Sequence, residues 1–118
     1  MAQPEATEPT ISTHVLDTER GSPAAGIGVA LYRLDGDDAV IVGQATTDQD
    51  GRVRRLLSET LRTGDYRLVF DVADTAGPGG GAPFFRRLSV DLRVGDPSRS
   101  YHVPLLLAPY SLTTYRGS

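Results

Sequence analysis

His14 and His102 are the two histidines of the chain, and histidine is the side chain whose ordinary pKa of about 6.5 lies nearest neutral pH. Either could take a proton from water as a general base. Arg52, directly after an Asp50-Gly51 turn, and Arg116, near the chain end, offer planar forks of donors suited to carbonyl or carboxylate groups. An arginine close to a histidine disfavours the imidazolium and so keeps that histidine able to accept a proton. Other chemistries find little support. There is no cysteine, and all 12 basic residues are arginine, so thiolate and Schiff-base mechanisms are excluded. No HxH or HExxH spacing exists, and no metal site is expected. Ser118 is a conceivable nucleophile, but no Ser-His-Asp arrangement accompanies it. The run GPGGGAP at 77–83 leads into Phe84, Phe85 and a strand rather than a helix N-terminus, which argues against a phosphate cradle.

Strands must carry these groups. Alternation of apolar and polar residues is clearest at 88–94, where Leu88, Val90, Leu92 and Val94 alternate with Ser89, Asp91 and Arg93. Segments 11–17, 28–34, 39–46, 66–72 and 101–107 read the same way, and 112–115 makes a short last strand. Turn signals separate them, among them GSPAAG at 21–26, DGDD at 35–38 and DQDG at 48–51. The LDGDD sequence marks a hairpin. About seven or eight short strands at this spacing predict an all-β, two-sheet sandwich. At most one short helix is expected, with 56–61 as a candidate for a single turn. On the first strand, Ile11, Thr13 and Val15 share one face, and Ser12, His14 and Leu16 the other. His102 points away from the face of Val103, Leu105 and Leu107.

At 118 residues the chain makes one domain. Its net charge of −3 argues against nucleic acid, and no apolar stretch approaches the ~20 residues of a membrane span. Residues 1–9 are polar and lack the basic start and apolar stretch of a signal peptide. They are expected to form a disordered leader to a domain spanning 10–118, in a cytoplasmic protein. The closing segment YHVPLLLAPYSLTTYRGS, 101–118, is too rich in apolar and chemically active groups for a loose tail. It is expected to fold onto the domain and to hold Tyr115, Arg116 and Ser118 in place.

Three blocks, ISTHVLDTERGSPAAG at 11–26, TTDQDGR at 46–52 and the 101–118 segment ending in YRGS, resemble those of 5-hydroxyisourate hydrolases, the transthyretin-like enzymes of urate breakdown. The resemblance implies a transthyretin-type sandwich, assembled as a homotetramer with active sites where two dimers meet. It implies no cofactor. It also implies roles for His14, His102, Arg52 and Ser118 in catalysis, and for His14, Arg52, Tyr115 and Arg116 in holding the substrate. Which histidine is the base stays open. A short helix common in the family after the strand here at 66–72 is in doubt, because glycine and proline fill 73–83. The alternatives are a transthyretin-like carrier of a small ligand, for which the histidines would be dispensable, and an immunoglobulin-like adhesion domain, for which secretion would be expected.

Overall fold

Alternating side chains make each strand one-sided, and a one-sided sheet must cover its apolar face with a second sheet. The computed structural model of the protein, which describes residues 8–73 and 83–117, does this with nine strands and, among the described residues, no helix. They are β1 (Ile11–Asp17), β2 (Ser22–Pro23), β3 (Gly28–Asp35), β4 (Asp38–Thr46), β5 (Arg52–Val53), β6 (Gly64–Asp71), β7 (Arg87–Val94), β8 (Tyr101–Ala108) and β9 (Ser111–Thr114). One sheet runs β2-β1-β8-β9, with β5 pairing beside β2 on the same edge of β1, and the other runs β4-β3-β6-β7. The expected two-sheet sandwich is present. The additional strands, β2 and β5, have two residues each and are too short to show a period.

The core lies between the sheets. Ile11 and Val15 of β1 and Val103, Leu105 and Leu107 of β8 face Val29 and Leu31 of β3 and Tyr66, Leu68 and Phe70 of β6. Every other pairing in the sandwich is antiparallel, but β1 and β8 run parallel, from Ile11 beside Tyr101 to Asp17 beside Leu107. The Thr13 hydroxyl, fully buried, donates to the Val103 carbonyl at 2.6 Å across this pair. The hairpin read at 35–38 joins β3 to β4 with Asp35 opposite Asp38. A bulge between Leu31 and Tyr32 upsets the alternation of β4, so Val42 turns inward while Val40 and Ile41 stay exposed.

Segment 56–61 does not form the helical turn for which it was a candidate. Its backbone donors are used between the sheets instead: Leu56 N–H bonds the Ile11 carbonyl at 3.0 Å and Ser58 N–H the Val42 carbonyl at 2.8 Å. Leu56, Leu57 and Leu61 are all buried, so tertiary packing overrides the local preference. The expected leader lies outside the described residues over 1–7; Glu8 is held by Arg55, whose Nη2 donates to the Glu8 carbonyl at 3.1 Å. Most of the glycine-rich 77–83 run, and the place of the doubtful helix, also lie outside them.

One side chain adds to the main-chain bonds that hold the 21–26 loop. Thr47 is buried; its Oγ1 donates to the Ala24 carbonyl at 2.7 Å and accepts the Ile27 N–H at 2.9 Å. Thr47→Val keeps the shape and removes both bonds, stranding a buried N–H. It is expected to lower stability by about 1–3 kcal/mol in urea unfolding at fixed protein concentration, with Thr47→Ser losing much less.

Candidate active site

The β1–β8 register sets Ser12 beside His102 and His14 beside Pro104, while β5 on the other side of β1 sets Arg52 opposite His14. Because Ile11, Thr13 and Val15 point into the core, Ser12 and His14 point out, and Val103 and Leu105 turn His102 outward in the same way. Three strands thus bring His14, Arg52 and His102 to one sheet face, with neighbouring strands about 4.8 Å apart and successive outward residues about 7 Å apart. Ser12, Arg52, Ser100 and His102 line an open groove there.

The turn before β5 positions two of these groups. The Asp48 carboxylate accepts the N–H of Asp50 at 2.9 Å and of Arg52 at 3.0 Å. These bonds, that of Arg52 foremost, hold its carboxyl below the usual range. Gly51 at the apex has φ of 76°, and a Cβ there would lie 2.4 Å from the Val15 carbonyl oxygen, so both conformation and space demand glycine. The turn carries the Asp50 carbonyl to 2.9 Å from His14 Nε2. A carbonyl only accepts, so Nε2 of His14 bears the proton and Nδ1 is left to accept.

His102 is fixed on three sides. Its Nδ1 lies 2.8 Å from Ser12 Oγ, and its carbonyl accepts the Gly117 N–H at 2.7 Å. Gly117 also leaves no room for a side chain beside the ring: a Cβ at 117 would stand 2.9 Å from Cδ2 of the imidazole. Burial first, then the charge of Arg52, then His14, push the His102 pKa below the ordinary value of 6.5, so the ring is neutral at pH 7.

The closing segment folds back as expected, through β9 and the single bridge between His102 and Gly117. The ladder is regular from Ala108 to Leu105 and lapses opposite Pro104, which has no N–H to give; the Thr114 hydroxyl donates to the Pro104 carbonyl at 2.7 Å. Tyr115 and Arg116 are exposed in the single chain and line a different groove, between β7 and β9, with Leu92, Val94 and Tyr101. Ser118 lies outside the described residues. Sequence reasoning overlooked the roles of Ser12 and Asp48. The shared face of Ser12 and His14 was a signal, but the strand register that makes Ser12 a neighbour of His102 is not written in any local pattern.

The electrostatics can be checked directly. The ring proton of His102, followed by proton NMR, is expected to titrate with a midpoint below 6.5, and Arg52→Gln is expected to move that midpoint upward. A midpoint unmoved in the variant would remove the arginine charge as a cause.

A family model described as HIUase/Transthyretin family matches residues 11–117. The 5-hydroxyisourate hydrolase of Deinococcus radiodurans is 45% identical over 119 aligned residues, covering 93% of this chain and 97% of that protein. The structure of Klebsiella pneumoniae 5-hydroxyisourate hydrolase is similar with a TM-score of 0.80 and 33% identity, covering 93% of this chain and 99% of that one. Sea bream transthyretin, solved in complex with thyroxine, is similar with a TM-score of 0.82 and 26% identity, covering 91% and 93% of the two chains. Matched in sequence along the whole sandwich and in the arrangement of its strands, the chain belongs to the HIUase/Transthyretin family.

Proposed function

We propose that the protein hydrolyses 5-hydroxyisourate in urate degradation, opening the six-membered ring at its N1–C6 amide to give 2-oxo-4-hydroxy-4-carboxy-5-ureidoimidazoline. The similarity to named 5-hydroxyisourate hydrolases supports the reaction. The observation that carries the chemistry is the placement of His102, Arg52 and His14 on one open sheet face, where burial and the Arg52 charge favour the neutral His102 imidazole.

In this reading His102 is the general base. Water held between the histidines donates one hydrogen to His102 and the other to Nδ1 of His14. As the water oxygen bonds C6, His102 takes its proton and negative charge gathers on the C6 oxygen. Arg52, permanently charged and forked, stabilises that oxyanion. Collapse breaks the N1–C6 bond, and the His102 imidazolium returns its proton to N1. Arg116, Tyr115 and Ser118 complete the pocket in the assembled protein. That assembly is a homotetramer in the cytoplasm, with sites where two dimers meet. Support comes from the openness of the groove in one chain, from the terminal positions of β7 and β9 in their sheets, and from the exposure of Tyr115. Among the described residues no helix is long and apolar enough to cross a membrane.

Purified protein is expected to speed the loss of 5-hydroxyisourate freshly made from urate by urate oxidase, followed by ultraviolet absorbance; folded protein that leaves the decay at its buffer rate overturns the reading. His102→Ala is expected to lower kcat by about 100-fold or more. Because protonation removes the base, kcat/KM of the native protein is expected to fall as pH drops through the His102 pKa, with its midpoint below 6.5. Sedimentation is expected to give a mass about four times the 12.6 kDa of one chain.

A further inference from the structure

His14 has its tautomer fixed by a carbonyl, which can only accept. His102 faces a hydroxyl instead, and a hydroxyl both donates and accepts. The surroundings break the symmetry. Ser12 is half-buried and lines the open groove, so its own O–H is free to turn toward solvent. Nδ1 of His102 has Ser12 as its one hydrogen-bond partner among the described residues, and Nε2 has none. The Cδ2 edge of the ring, next to Nε2, lies against Gly117, and the main chain on either side is pinned in the ladder with β1 and by the Gly117 bridge. Turning the ring over would put Cδ2 where Nδ1 stands and forfeit the bond to Ser12.

We propose that Ser12 is a positioning residue whose hydroxyl accepts the Nδ1–H of His102, leaving Nε2 unprotonated and ready to take a proton. The proposal deepens the reading of His102 as the general base and rests on it. It also accounts for a serine where many hydrolases place a carboxylate behind the catalytic imidazole. A carboxylate fixes the same tautomer, but its negative charge favours imidazolium. Burial, Arg52 and His14 all act on His102 in the opposite sense, and Glu8, Arg54 and Arg55 are the remaining charged groups along the groove. A neutral acceptor orients the ring without working against them. The water to be activated then meets a lone pair, not an N–H.

The test is the tautomer itself, read by long-range proton–nitrogen NMR on protein carrying nitrogen-15 histidine, above the titration of His102. The native protein is expected to show His102 protonated at Nδ1 and His14 at Nε2. In Ser12→Ala, His102 is expected to shift toward the Nε2–H form while His14, held by Asp50, stays as it was and reports an intact fold. The same variant is expected to lose about tenfold or more in kcat, short of the ~10⁴ seen when a triad carboxylate is replaced, with KM within about twofold. Ser12→Thr, which keeps the hydroxyl, is expected to restore both the tautomer and kcat. A native His102 carrying its proton mainly on Nε2 overturns the proposal, as does a tautomer unchanged in Ser12→Ala. The native spectrum decides the first point whether or not the variant folds. It also stands apart from turnover: a protein with the Nδ1–H tautomer and no action on 5-hydroxyisourate would refute the substrate and leave the hydrogen bond in place.

Discussion

The parallel pairing of β1 with β8 is the constraint from which the rest follows. Parallel strands need a long connection, and here almost the whole sandwich is threaded between them. The register places residues far apart in the chain side by side, Ser12 with His102 and Thr13 with Val103, one pair outward and one inward. The inward Thr13 hydroxyl bonds the Val103 carbonyl, and Ile11, Val15 and Leu105 seal the core around it. A slip of one residue would turn every side chain of β1 to the other face. It would bury His14 and expose Ile11 and Val15. The energy that fixes the core therefore also fixes the site.

A single charged side chain then sets the electrostatics. Arg52 arrives on a strand of two residues whose hold on β1 depends on the Asp48 turn, and Gly51 lets that turn press close to the Val15 carbonyl. The same turn aims the Asp50 carbonyl at His14. One small structure thus decides the proton on one histidine and, through Arg52, adds to the burial that lowers the proton affinity of the other. The neighbours of the two rings are a carbonyl and a hydroxyl, not carboxylates, so neither opposes the burial and the positive charge that favour a neutral His102.

Much of this was legible in the sequence, for a physical reason. The long strands announce themselves because burial on one face writes a period of two, and that period correctly put His14 and His102 on the faces away from the core. The turns were legible because glycine, proline and aspartate suit few other conformations. The rest depends on contacts between distant segments. β5 has too few residues to show a period. Val42 breaks the alternation of its strand because a bulge, not a pattern, turns it inward. Segment 56–61 was a candidate for a helical turn, but its Leu56 and Ser58 N–H groups serve one sheet each. The folding of the tail was readable from its composition. The exposure of Tyr115 and Arg116 in a single chain was not, because composition shows that a surface is apolar or charged without showing what meets it.

The bridging segment has a further consequence. Leu56 grips one sheet and Ser58 the other, so the few residues between Arg52 and Ser58 act as a tie of set length between the two layers. Hairpin tips can gain or lose residues with little effect on what lies below them. This tie cannot: lengthening it slackens the clamp on Val42 and Ile11 together, and shortening it drags Arg52 away from His14. The spacing of the sandwich and the placement of its reactive arginine are in this sense one dimension, measured by the same stretch of chain.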